Sequence, residues 1–220
     1  TAVPTYMVHV GRENLYYQYR HNSPNTNRID PNISNIIDIY VLTNEYESAY
    51  RLWLADTTGR LVEPEAPTDL ELANRYADLA NYKAISDTIV VQSAKYKPLF
   101  GSKAARDLQA TFKVVKNPGL SLTDADVKSQ VVAAIDEYFG TENWDFGDTF
   151  YFSELAAYLH KVLTPNIASI VIVSKNTTRS FGNLYQINAE PYELIVSAAT
   201  VDDVEIVTAI TALDLQPSLT

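Results

Sequence analysis

The chain has 220 residues, 46% hydrophobic and 20% charged, which allows one large domain or two small ones around a sizeable core. Its formal charge of -10 weighs against a nucleic-acid backbone or an anionic membrane surface as partner, because both call for a basic footprint. With no cysteine, disulfides and thiolate metal sites are excluded.

No apolar run approaches a membrane span, and the N-terminus lacks a signal-peptide pattern. The chain opens at Thr1 with its single methionine at Met7, as a fragment or a processed chain would. Tyr6 to Val10 reads as a short strand and Gly11 to Asn14 as a turn. Leu15, Tyr17 and Tyr19 alternate with Tyr16, Gln18 and Arg20, a half-buried strand pattern. His21 to Asn35 is a polar loop rich in Asn and Pro. Asn35 to Leu42 is a strand, with Ile37, Ile39 and Val41 on one face and Asp38 on the other.

Asn44 and Glu47 have capping-box spacing, and Tyr46, Ala49, Tyr50, Trp53 and Leu54 follow on one helical face. Asp56 to Pro67 is a loop. Thr68 and Glu71 start another capped helix, with Leu72, Tyr76, Leu79 and Ala80 inward. Thr88 to Tyr96 is a strand. The turn expected over Pro98 to Lys103 divides the chain into an N-terminal α/β subdomain, 1–102, and a C-terminal α/β subdomain, 103–220.

Leu108, Ala110, Phe112 and Val114 form a one-sided strand, broken by Asn117-Pro118-Gly119. Thr123 caps a helix with Val127, Val131, Ala134, Ile135 and Tyr138 on its apolar face, and Gly140 stops it. An aromatic turn from Trp144 to Phe152 follows. Ser153 caps a second helix, with Leu155, Leu159, Val162 and Leu163 inward and Pro165 at its end. Ile167 to Val173 is β-branched and apolar on both faces, as in a doubly covered strand. Leu184 to Ile187, Tyr192 to Val196 and Val204 to Ile210 are further strands, and Gln216 to Thr220 is a frayed tail. The fold class is therefore α+β, with mixed sheets and amphipathic helices packed against them.

Chemistry-bearing patterns are sparse. His9, His21 and His160 have no i, i+4 ligand spacing. His21, Arg28, Asp30 and Asp38 are close in sequence but read as a solvated loop and its anchor. Asp136-Glu137 and Asp202-Asp203-Glu205 read as a helix face and a turn before a strand. There is no nucleophile elbow, Walker loop or dinucleotide fingerprint. Trp53 and Trp144 could stack a sugar; anchoring of a helix and a turn is their simpler role. No catalytic, cofactor or metal residue is assigned. The 15 tyrosines are the unusual count, and tyrosine suits both half-buried strands and interfaces.

Several landmarks recur in order. They are Arg28-Ile29-Asp30-Pro31, Asn35 to Leu42, Leu99-Phe100-Gly101 and Leu108-Gln109-Ala110. Trp144-Asp145-Phe146-Gly147-Asp148, Ser153-Glu154-Leu155 and Leu184-Tyr185-Gln186-Ile187 before Glu193 complete the set. In this order the chain resembles the C-terminal part of the ring-forming baseplate wedge protein of T-even-like contractile-tailed phages, and more distantly the J-like baseplate family.

The resemblance implies a structural virion protein of the tail baseplate, assembled in the host cytoplasm. It implies partners rather than substrates: copies of itself, a second baseplate wedge protein, and other baseplate and hub proteins. It also implies a part in the rearrangement that triggers sheath contraction. It brings no catalytic residue, cofactor, nucleic acid or membrane. The family protein is longer, so an upstream part is expected to be missing. The expected interface surface is the strand with Tyr16, Tyr17 and Tyr19 and the helix with Tyr46, Tyr50 and Trp53. The competing reading is a tail-associated domain that binds or hydrolyses carbohydrate, which predicts a cleft with perturbed carboxylates.

Overall fold

A computed structural model describes residues 36–78, 88–119, 121–175 and 186–211. The strands expected at Tyr6–Val10 and Leu15–Arg20, the loop that follows them, Leu79, Ala80 and the tail lie outside the described residues. The described elements make an α+β fold with parallel and antiparallel pairings, in two compact units that divide between Lys95 and Tyr96.

In the first unit, β1 (Ile36–Val41) pairs in parallel with β2 (Thr88–Ser93), from Ile36 opposite Thr88 to Val41 opposite Ser93. Asp38, expected on the face away from the isoleucines, is buried, and Gln92 Nε2 donates to its carboxylate at 2.9 Å. α1 (Asn44–Ala55) is capped by Thr43, one residue before the expected cap. Thr43 has extended backbone, and its Oγ1 accepts the Tyr46 N–H at 3.3 Å. α2 (Asp69–Arg75) has the expected reciprocal box: Thr68 N–H donates to Glu71, and Glu71 N–H donates to Thr68 Oγ1. Leu72 is its buried residue.

The expected strand from Thr88 to Tyr96 is two strands. Ala94 interrupts it, donating its N–H to the Val41 carbonyl at 3.0 Å. The chain resumes as β3 (Lys95–Leu99), which bonds to β8 (Glu193–Ser197). The two units divide between Lys95 and Tyr96, just inside the start of β3, ahead of the expected division after residue 102, and the turn begins only at Gly101.

The second unit is built on β4 (Ala110–Lys116), the middle strand of a three-stranded sheet. One side pairs antiparallel with β6 (Ile167–Ser174), the other in parallel with β9 (Val204–Val207). Ala110, Phe112 and Val114 are completely buried, as their alternation predicts. Leu108 belongs to a 3-10 turn, Arg106–Leu108, rather than to the strand.

α3 (Asp124–Tyr138) and α4 (Phe152–Leu163) pack on each other and on this sheet. Thr123 and Asp126 cap α3 reciprocally, and Val127, Val131 and Ile135 are fully buried. Phe139 rather than Gly140 caps its C-terminus. The aromatic run contains a short strand that patterning missed: β5 (Thr149–Tyr151) pairs antiparallel with β7 (Gln186–Asn188). Tyr151, held extended by that pairing, leads straight into α4, so Ser153 lies inside the helix and is not its cap. Leu155, Leu159 and Leu163 form the buried i, i+4 stripe, while Val162 is exposed at its flank. β6 is not covered on both faces either. Ala168 is exposed, with Val171 and Ile172 half-buried.

Candidate interaction surfaces

Of the six aromatic residues expected to supply an interface, Tyr16, Tyr17 and Tyr19 lie outside the described residues. Tyr46 and Tyr50 are core residues, 7% and 1% exposed, and cannot present a surface. Their rings pack 5.6 Å apart, and Trp53, half-buried, closes on Tyr50 at 5.1 Å. A stripe at helical spacing buries its rings against its own unit before it can offer them to a partner.

Among the described residues the exposed large apolar side chains of this unit lie off that stripe. Leu52 is 67% exposed, Leu61 51%, Val62 87% and Leu70 71%. Arg75 in the last turn of α2 reaches Glu45 in the first turn of α1 at 2.7 Å, and the Asp69 carboxylate at the start of α2 accepts the Ser93 N–H of β2 at 3.2 Å. Leu61-Val62, an apolar pair inside a polar loop, was the signal in the sequence for this surface.

That loop is braced by a single carboxylate. Asp56 accepts the Thr58 N–H at 2.8 Å, the Thr58 hydroxyl at 2.6 Å and the Leu61 N–H at 2.8 Å. These donors, the Thr58 hydroxyl foremost, hold its pKa down at about 2. A folded-state pKa below the unfolded one means the brace is complete above the unfolded value. It is lost as pH falls through about 2. The Thr58 and Leu61 amide resonances should accordingly titrate with a midpoint at about 2. A midpoint at the ordinary aspartate value would show the loop unbraced.

In the second unit the chemical candidates resolve into architecture. Asp136 and Glu137 are exposed on α3. Asp203 is buried, accepts the Thr200 N–H and hydroxyl, and pairs with Lys175; it fixes the 3-10 turn before β9. Trp144 is 7% exposed, stacks on Phe139 and donates its indole N–H to the Tyr138 carbonyl at 2.8 Å. It anchors the turn rather than offering a face to a sugar. Asp148 accepts the Asp145 N–H at 2.8 Å, and Gly147 donates its N–H to the Glu193 carbonyl at 3.1 Å. Glu193 pairs with Lys97 at 2.8 Å. His160 is half-buried in the last turn of α4, and His9 and His21 lie outside the described residues.

Among the described residues no group of His, Asp and Glu is placed to hold a metal ion. No helix among them is long and apolar enough to cross a membrane. No protein-family model matches the sequence, and no curated protein matches it.

Proposed function

We propose that the chain is a structural subunit of a contractile-tail baseplate, without catalytic activity of its own. On this reading it self-associates, docks with a second wedge protein in the ring around the tail hub, and takes part in the rearrangement that releases sheath contraction. Its setting is the virion tail, after assembly in the host cytoplasm. The order of sequence landmarks suggests the family. The observation that carries the assembly role is the exposure of Leu52, Leu61, Val62 and Leu70 on two capped helices and a braced loop.

An assembly subunit needs apolar area that is tolerable in water and held in shape before its partner arrives. The braced loop supplies that shape. A stable specific contact buries about 1,200–2,000 Å² in total, so these four side chains could supply only part of one. Closing a ring requires a heterologous contact, and a two-fold pairing an isologous one.

The double variant Leu61→Ser/Val62→Ser tests this directly. Both residues are exposed, so the fold and thermal midpoint should stay close to those of the native protein. Ring or wedge assembly, followed by native mass spectrometry, should be lost. Unimpaired assembly would remove this surface from the proposal.

A further inference from the structure

A cleft of about 400 Å³ opens on the second unit where the end of α3 meets the start of α4. Its walls include the rings of Tyr138, Trp144 and Tyr158 and the carboxylates of Asp148 and Glu154. Among the described residues no lysine, arginine or histidine lines it. Tyr138 lies 5.7 Å from Trp144 at 66° and 5.2 Å from Tyr158 at 51°. The rings form a bent aromatic wall facing acidic side chains.

Two ligand chemistries use aromatic rings with carboxylates: sugars and organic cations. A sugar needs a flat exposed ring face. Trp144 is nearly buried and already stacked on Phe139, and the two tyrosines meet at an angle, so the rings make no broad flat platform for a pyranose, whereas a single tyrosine face suits the smaller guanidinium. A cation needs a negative field and several ring faces within about 6 Å. The field is evident on the rings themselves. Burial, and then the Glu154 charge, push the Tyr138 hydroxyl up to about 12. Tyr158 is raised too, by burial and then by Glu137, with which it shares a hydrogen bond.

We propose that this cleft binds an arginine side chain presented by a partner protein. A planar guanidinium can lie on a tyrosine face while its N–H groups donate to a carboxylate at the rim. A compact ammonium satisfies only one of those contacts well. The strongly acidic chain supplies the long-range attraction that brings a basic segment to the cleft. The inference concerns the second unit alone and stands whether or not the chain proves to be a baseplate subunit.

The test is a titration of the native protein, labelled with nitrogen-15, following the Trp144 indole resonance. Trp53, in the other unit, is the internal control. The probes are N-acetyl-arginine amide, spermidine as a free polyamine, and maltotriose as a neutral sugar. The arginine amide should move the Trp144 resonance saturably, spermidine less, and maltotriose not at all, with Trp53 unmoved. Glu154→Gln, a substitution at an exposed position, should weaken arginine binding by about tenfold while leaving the spectrum folded. Four results would overturn the proposal: no saturable shift, equal movement of Trp53, tighter binding of spermidine, or a response to maltotriose alone. Unchanged arginine affinity in the Glu154→Gln protein would do so as well.

Discussion

Replacing Val131 with aspartate should destabilise the second unit by roughly 3 kcal/mol or more. Val131 is completely buried on the apolar face of α3, flanked at helical spacing by Val127, Ala134 and Ile135, which are buried as well. Aspartate there would have to ionise without a partner or protonate at a cost in pKa, and both routes are unfavourable. The valine packing is lost in addition. Val131→Ala removes volume without adding charge and should cost clearly less. Urea denaturation followed by the fluorescence of Trp144 reads this unit, since the other tryptophan, Trp53, belongs to the first. An unchanged midpoint for Val131→Asp would mean that α3 does not pack as described.

Gly101→Ala should be of similar size, about 3 kcal/mol or more, although it adds a single methyl group. A Cβ at this position would stand 1.7 Å from the Ala198 carbonyl oxygen, which is backbone and cannot rotate away. The same crossing holds Phe100 at a positive φ of 80°, a conformation that a side chain of this kind adopts only when its surroundings impose it. Those surroundings are aromatic. The fully buried Phe100 ring lies 5.0 Å from Phe112, 5.8 Å from Phe139 and 5.7 Å from Phe150. Its backbone also bonds on both sides of Gln109: Phe100 N–H donates to the Leu108 carbonyl and Ala110 N–H to the Phe100 carbonyl. The methyl group forces β3 away from the chain after β8 and disturbs this cluster. Chemical denaturation with the same reporter checks it, and a native-like midpoint would contradict the close approach.

These two positions mark where the sequence was legible and where it was not. The α3 face could be read because cap, period and burial all follow from local geometry. Thr68–Glu71 and Ala110, Phe112 and Val114 were legible for the same reason. The role of Leu99-Phe100-Gly101 was not, since the contact with Ala198 joins segments far apart in the chain. β5 escaped notice because the aromatic run Phe150 to Phe152, which continues into α4, carries no alternation, and its partner β7 is distant. Ser153 looked like a cap because its residue type suits one, but the strand pairing of Tyr151 moved the helix start. Tyr46 and Tyr50 misled in another way: periodicity finds the apolar stripe correctly, yet says only that it is buried, not against what.

The proposed interaction surface shows the same division. Leu61 and Val62 stand in plain sight between Gly59 and Pro64, but their weight depends on the Asp56 brace, which composition does not reveal. The cleft at Tyr138, Trp144 and Tyr158 required three rings from separate turns to be brought together.

Mass photometry of the purified native protein, alone and with the proposed wedge partner, tests the proposed assembly role most directly. The account predicts discrete species larger than the monomer, growing into wedge or ring complexes when the partner is added, and absent for Leu61→Ser/Val62→Ser. A native protein that remains monomeric at every concentration, with its wedge partner present, would contradict it.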